Sequence, residues 1–191
     1  IRKEFILKNI RFIAITDDYD SFNPSKSDEL STSVKLLLND YYCADISKKV
    51  RSAQAAKMAK GDFIGSHAPY GYIKSPNDKN KLVIDEEAAE VVRRIFDMYI
   101  GGAGKLSIAR ALNKEGIPNP TMYKRTVLKQ NYVNSNRLST TNYWTYSTIN
   151  KILSNQVYIG NMVQHKSQIK AYNIHKKIQI PEGEWCIVEN T

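Results

Sequence analysis

The longest regular pattern of the chain runs from about residue 28 to residue 60, where neither glycine nor proline occurs. Apolar positions recur there at steps of three and four, the spacing of one helix face: Leu30, Val34, Leu37, Leu38, Tyr41, Tyr42, Ile46, Val50, Ala53 and Ala56. The pattern predicts a helix of about 50 Å that ends at Gly61. Two shorter helices with a break near Cys43 are the alternative.

Shorter patterns flank this helix. Before it, Ile10–Ile15 predicts a short, mostly buried strand with partners elsewhere. After it the sequence predicts a hairpin and then three helices, the first N-capped by Asp85, the second beginning near Leu106 and the third N-capped by Thr145. A polar segment precedes the third helix, and short strands are predicted around 156–164, 177–180 and 185–188. Together these elements predict an α+β, mostly helical fold.

Positive charge is concentrated in two stretches. The net charge is +9, and no Asp or Glu occurs between Gly116 and Pro181. A second acid-free run contains Lys48, Lys49, Arg51, Lys57 and Lys60. Surfaces of this kind suit a polyanion, so nucleic acid is the expected partner.

Candidate chemistry other than nucleic-acid binding is sparse. The three His and two Cys residues lack the spacing of metal ligands, and residues 101–105 lack the spacing of a phosphate-binding loop. No apolar run approaches the length of a membrane span. We therefore expect no metal, no cofactor, no membrane contact and a reduced cytoplasmic setting. The first residues resemble neither a translation start nor a signal peptide, so the chain is expected to begin inside a longer protein.

The second and third helices after the hairpin resemble a helix-turn-helix. The exposed positions of the third helix are predicted to be Tyr146, Ser147, Asn150, Lys151 and Ser154. Their side chains suit base edges, Asn pairing with adenine, Lys with guanine and Ser with either. The connection exceeds the usual three or four residues. It carries Lys124, Arg125, Lys129 and Arg137, and we expect a loop that DNA orders. A merely solvated helix face is the alternative.

Several ordered motifs resemble one protein family. They are residues 9–15 with the DDYDS of 17–21, residues 39–51, APYGY at 68–72, DEEAAEVVRRIF at 85–96, and WTYSTINKILSNQVYIG at 144–160. In this order they resemble the large serine recombinases, also called serine integrases or transposon resolvases. The resemblance covers nearly the whole chain and implies three parts: a catalytic-domain remnant at 1–27, a long linker helix at 28–60, and a recombinase (DNA-binding) domain with small β-hairpins at 61–191.

The resemblance implies sequence-specific binding of double-stranded DNA during integration or excision of a mobile element, by a bacterial or phage-encoded protein at the nucleoid. Members of the family cut DNA with a serine near the start of the catalytic domain, and no serine here matches that position. No catalytic residue is therefore expected in this chain, whereas the parent protein is expected to be a site-specific recombinase that assembles into dimers and a synaptic tetramer.

The residues expected to contact DNA combine the basic runs and the linker that follows the long helix. They are Lys48, Lys49, Arg51, Lys57, Lys60, Ser66, His67, Lys124, Arg125, Arg137, Tyr146, Ser147, Asn150 and Lys151. The alternative function is a non-catalytic, basic helix-turn-helix-like regulator that binds DNA or RNA.

Overall fold

One uninterrupted helix, α1, spans Lys26–Ala59. It confirms the single long helix and excludes the break near Cys43. Just beyond its end, Gly61 adopts a φ of 78°, and its N–H donates to the carbonyl of Met58 at 3.0 Å. A positive φ is tolerated best by glycine, which is why the helix stops at this residue.

The computed structural model describes Phe5 and residues 7–17, 19–22, 26–132, 142–171 and 173–189. The chain divides into two compact units. The first comprises Ile1–Ala53 with Ile169–Lys177, and the second comprises Gln54–Gln168 with Ile178–Thr191.

In the first unit, β1 (Ile13–Ala14) pairs antiparallel with β2 (Tyr19–Asp20). The prediction of a longer, mostly buried strand at Ile10–Ile15 was wrong, since Ile15 is 91% exposed. Residues 15–17 turn into a 3-10 helix instead, and an ion pair between Arg11 and Asp20 joins the two sides of the turn. A local turn therefore supplied the partner strand.

The second unit contains the remaining helices and most of the strands. In chain order they are β3 (Tyr72–Lys74), β4 (Leu82–Ile84), α2 (Glu86–Ile100), α3 (Lys105–Lys114), α4 (Pro120–Thr126), α5 (Tyr146–Leu153), a 3-10 helix (Gln156–Ile159), β5 (Met162–Gln164), a second 3-10 helix (Glu182–Glu184) and β8 (Cys186–Val188). Strands β3 and β4 form an antiparallel hairpin, and β5 pairs antiparallel with β8. Two strands that cross the unit boundary, β6 (Ser167–Ala171) and β7 (Ile174–Gln179), pair with each other. The predicted α+β, mostly helical fold is confirmed.

Helices α2, α3 and α5 pack together around the core of the second unit. Ile95, Ile108, Leu112 and Ile149 are fully buried at their contact. These residues lie at the apolar steps that the sequence pattern shows, because burial of one face is what stabilises a short amphipathic helix.

The start of α2 differs from the predicted cap. Asp85 occupies the N-cap position, but its side chain accepts no backbone N–H. Its Oδ1 instead accepts a hydrogen bond from the Tyr123 hydroxyl at 3.1 Å. The carboxylate is thus used in a tertiary contact with α4, which sequence spacing does not reveal.

Two other local assignments also differ. The polar segment expected from Thr121 contains a helix, α4, at its start. This helix forms because the Asn119 side chain caps it by accepting the Met122 N–H at 2.9 Å and because Pro120 occupies its first turn. The strand expected around 156–164 is a 3-10 helix followed by the shorter β5. Asn155 accepts the Val157 N–H at 3.3 Å, which favours a turn over an extended start.

Candidate nucleic-acid interface

The APYGY segment is part of the core that supports the interface. The Tyr70 ring packs edge-on against Tyr123 and Trp144, with ring centroids 5.5 and 5.6 Å away. Its carbonyl accepts the Tyr158 hydroxyl at 2.7 Å. Burial raises the pKa of Tyr70 and Tyr123, and the nearby carboxylates of Asp85 and Glu87 raise both further. These tyrosines therefore stay neutral and act structurally.

Helix α5 presents a polar face beside its buried one. The Thr145 hydroxyl accepts the Thr148 N–H at 3.2 Å and confirms the predicted cap. Ile149 and Ile152 are buried. The opposite positions carry the predicted base-contacting residues: Tyr146, Ser147 and Lys151 are exposed, and Asn150 is half-buried.

A set of hydrogen bonds holds the start of α5 against the end of α3. The Asn113 amide donates to the Trp144 carbonyl at 2.9 Å and accepts the Trp144 N–H at 2.7 Å. The Trp144 ring N–H donates to the Ile117 carbonyl at 2.9 Å, and the buried Asn119 amide donates to the Tyr143 carbonyl at 3.0 Å. These bonds bring the two helices together despite the long connection.

Lys105, the first residue of α3, also lies at this face. Its Nζ donates to Asn150 Oδ1 at 2.7 Å. The same ammonium group lies 5.7 Å from the ring centroid of Tyr99 and 5.8 Å from that of Tyr146. A lysine at the first position of α3 was a visible signal in the sequence, but its pairing with a residue 45 positions away was not.

Lys124 and His67 are engaged with neighbouring groups. The Lys124 Nζ donates to the Ala68 carbonyl at 2.7 Å and lies 4.9 Å from the Tyr132 ring centroid. Burial lowers the pKa of Lys124. His67 packs edge-on against Tyr132 at 4.8 Å, and its Nδ1 lies 3.2 Å from Gln130 Oε1. Lys124 therefore joins the segment before Tyr70 to the segment after α4.

The other predicted residues of the connection and linker lie at the surface where they are described. Arg125 and Lys129 are exposed, as is Ser66. Arg137 lies outside the described residues.

The linker that follows α1 is anchored to the strands of the second unit. The Gln164 side chain donates to the Asp62 carbonyl at 2.8 Å and accepts the Ile64 N–H at 3.0 Å. Asp62 also pairs with Lys81 at 3.2 Å. This anchoring limits where Ser66 and His67 can lie within the unit.

The five basic residues predicted in the second half of α1 and just after it are exposed. Lys48, Lys49 and Arg51 belong to the first unit, whereas Lys57 and Lys60 belong to the second. Lys49 pairs with Asp45 at 2.7 Å, one helical turn away. An exposed pair of this kind is weak, so Lys49 remains able to exchange its partner for a phosphate.

Among the residues that the structure describes, no group of three or more His, Cys, Asp or Glu is arranged to hold a metal ion. Nowhere in the same residues is a helix both long enough and apolar enough to cross a lipid bilayer.

A three-helix core that exposes a polar and basic helix face is typical of nucleic-acid-binding modules. A family model described as Recombinase matches residues 86–191, which is more than half of the chain. The chain belongs to this Recombinase family, and the match confirms the resemblance to serine recombinases. No solved structure matches the chain.

Proposed function

We propose that this chain binds one half of a recombination site in double-stranded DNA, as the DNA-binding part of a serine site-specific recombinase of a mobile element. The observation that carries the proposal is the exposed face of α5 within a Recombinase-family domain. Binding to RNA, or to DNA as a non-catalytic regulator, is the competing function.

Helix α5 is proposed to enter the major groove. Its buried side is occupied by Ile149 and Ile152, so only the side bearing Tyr146, Ser147 and Lys151 is available to a ligand. Hydroxyl, amide and ammonium groups match the donor and acceptor pattern of base edges in that groove. No acidic residue occurs between Gly116 and Pro181 to repel phosphates.

The exposed cations outside α5 are proposed to contact phosphates. Lys57 and Lys60 flank the end of α1, and their flexible ammonium groups suit backbone positioning without base discrimination. Lys48, Lys49 and Arg51 are assigned to the same role. Arg125, the exposed cation of α4, is assigned to this role as well.

Self-association is proposed to involve α1. Along its first half the apolar side chains are exposed, Leu37 to 70%. Exposed apolar groups in a helical row favour pairing with a second copy. In the full-length recombinase we expect dimers on each site and a tetramer at synapsis.

Duplexes enriched from a randomised pool provide the test of DNA recognition. We expect the 191-residue chain to enrich a defined sequence and to bind it more tightly than a scrambled duplex or an RNA duplex of the same sequence. Equal binding to all three would reject sequence-specific DNA recognition, and preference for the RNA would support the competing function.

Paired variants separate base reading from phosphate contact. Lys151→Ala is expected to cost about 1–3 kcal/mol of binding free energy on the enriched duplex and much less on the scrambled one. Lys57→Ala is expected to weaken both equally. Lys114→Ala, an exposed lysine at the end of α3, is the control for charge alone. If Lys151→Ala affects both duplexes equally, α5 does not read bases.

A further inference from the structure

Asn150 and Lys105 form a pair that restricts which base an amide on α5 can recognise. The Lys105 ammonium group can only donate, so the oxygen of the Asn150 amide must face it, at 2.7 Å. The amide nitrogen is thereby turned away from Lys105. Asn150 is half-buried, and within the described residues no hydrogen bond from its Nδ2 is found.

The ammonium group itself is held in place. The rings of Tyr99 and Tyr146 lie within 6 Å of it, at distances suited to cation–π attraction. Tyr99 belongs to α2 and Tyr146 to α5, so the ammonium group is held by both helices. The orientation of the Asn150 amide is therefore fixed before any ligand arrives.

This orientation changes the base that asparagine favours. Bidentate pairing with adenine needs the amide oxygen to accept from N6 while the amide nitrogen donates to N7. Here the oxygen already accepts from a cation, and an adenine amino group brought next to it would also approach the ammonium group. Guanine offers two acceptors, N7 and O6, in the same groove.

We propose that Lys105 and Asn150 together form a donor-only reading pair that selects guanine, rather than adenine, at one base pair of the half-site. The inference rests on the proposed major-groove binding of α5. It assigns to Lys105 a specificity role and proposes guanine in place of the adenine expected for Asn150 from its residue type alone.

The test compares base preferences in duplexes enriched from a randomised pool. For the unchanged chain we expect one position with guanine favoured over adenine by at least about five-fold, the lower end of discrimination by a good base contact. Asn150→Ala is expected to abolish the preference at that position alone. Lys105→Met removes the ammonium group but keeps the aliphatic stem, and is expected to shift that position towards adenine.

Two further variants complete the experiment. Lys114→Met removes a charge from the other end of α3 and is expected to leave the guanine position unchanged. Asn150→Asp replaces the outward donor with an acceptor and is expected to remove the guanine preference, which provides a second readout should Lys105→Met fail to fold by circular dichroism.

The possible outcomes distinguish failure of the reading pair from failure of the proposed DNA-binding function. If no duplex is enriched by the unchanged chain, the proposed function fails. If a sequence is enriched but both a folded Lys105→Met and Asn150→Asp retain the same base at every position, DNA recognition stands and the reading pair is overturned.

Discussion

Gly71 illustrates how a single residue decides the geometry of the APYGY segment. It has a φ of +89°, and a Cβ there would lie 3.1 Å from Val92 Cγ2. The backbone therefore turns from the buried Tyr70 into β3 only because this residue has no side chain. The same segment has a hydrogen bond from Tyr158 to the Tyr70 carbonyl, so the turn aligns several core contacts.

Gly71→Ala is expected to lower the free energy of unfolding by about 1–3 kcal/mol, because the side chain is strained by the positive φ and also crowds Val92. Gly116→Ala is the matched control, since Gly116 has a φ of +72° but no atom within 4 Å of the added Cβ. We expect Gly116→Ala to lower the free energy of unfolding only by the cost of the positive φ. Urea unfolding measures both, and equal losses would show that contact with Val92 costs nothing.

The neighbouring cations Lys124 and Arg125 are expected to differ in role. Lys124→Ala removes the bond to the Ala68 carbonyl and is expected to lower the free energy of unfolding by about 1 kcal/mol, with little change in the salt dependence of DNA binding. Arg125→Ala is expected to leave the free energy of unfolding within about 0.5 kcal/mol of that of the unchanged chain. It is expected to make the slope of the logarithm of the DNA-binding constant against the logarithm of salt concentration shallower by about 0.9.

Thermal unfolding and binding titrations at several salt concentrations distinguish these roles. A loss of salt slope in Lys124→Ala with unchanged stability would return Lys124 to the phosphate contacts that its position in the basic stretch suggested.

At the scale of elements, α1 presents a row of apolar side chains that the described residues leave exposed. At 100° per residue, Leu30, Val34, Leu37 and Tyr41 fall within about 60° of arc, and all are exposed. The row ends at Tyr41, ahead of the basic run that begins at Lys48. The two halves of the helix therefore suit different partners, a second copy and DNA.

Leu37→Glu is expected to weaken self-association by ten-fold or more, since it places a charge in the middle of this row; burial of an unpaired charge at an interface costs about 2 kcal/mol or more. Leu36→Glu is the matched control because Leu36 is 56% exposed and lies about 100° away on the helix. Sedimentation velocity over a range of concentrations is the measurement. Identical sedimentation of both variants and the unchanged chain would remove α1 from the proposed interface.

At the scale of the whole molecule, the charge distribution is more informative than the net charge of +9. The long acid-free stretch coincides with the connection, α5 and the strands that follow. Acidic residues in and next to the helices are partly neutralised internally: Arg94 of α2 pairs with Glu115, which directly follows α3, and this pairing lowers the pKa of Glu115. The uncompensated charge is therefore positive.

The affinity for double-stranded DNA is expected to fall steeply with salt. If about six or more cations contact phosphates, the log–log slope should be about −5 or steeper, because each contact releases condensed counterions. Titration between low and moderate salt by fluorescence anisotropy gives the slope. A slope near −1 would show that the basic stretches are only a solvated surface.

Much of the local structure could be predicted from the sequence. The periodicity of apolar residues located α1, α2, α3 and α5, and Gly61, which adopts a positive φ, marked the end of α1. The Thr145 cap was also correct. These features depend on residues within about one helical turn of each other, so the information that determines them is local.

The tertiary structure decided the features that join distant residues. The Tyr123 hydroxyl donates to the Asp85 carboxylate 38 positions earlier, so Asp85 makes a tertiary contact in place of the helix cap that its sequence position predicts. The pairing of Lys105 with Asn150 likewise spans 45 positions. The composition and periodicity of the sequence by themselves determined that this protein is basic and mostly helical. Folding decided which cations face outward and which way the Asn150 amide points. Those features depend on groups that only the packed core brings within hydrogen-bond distance.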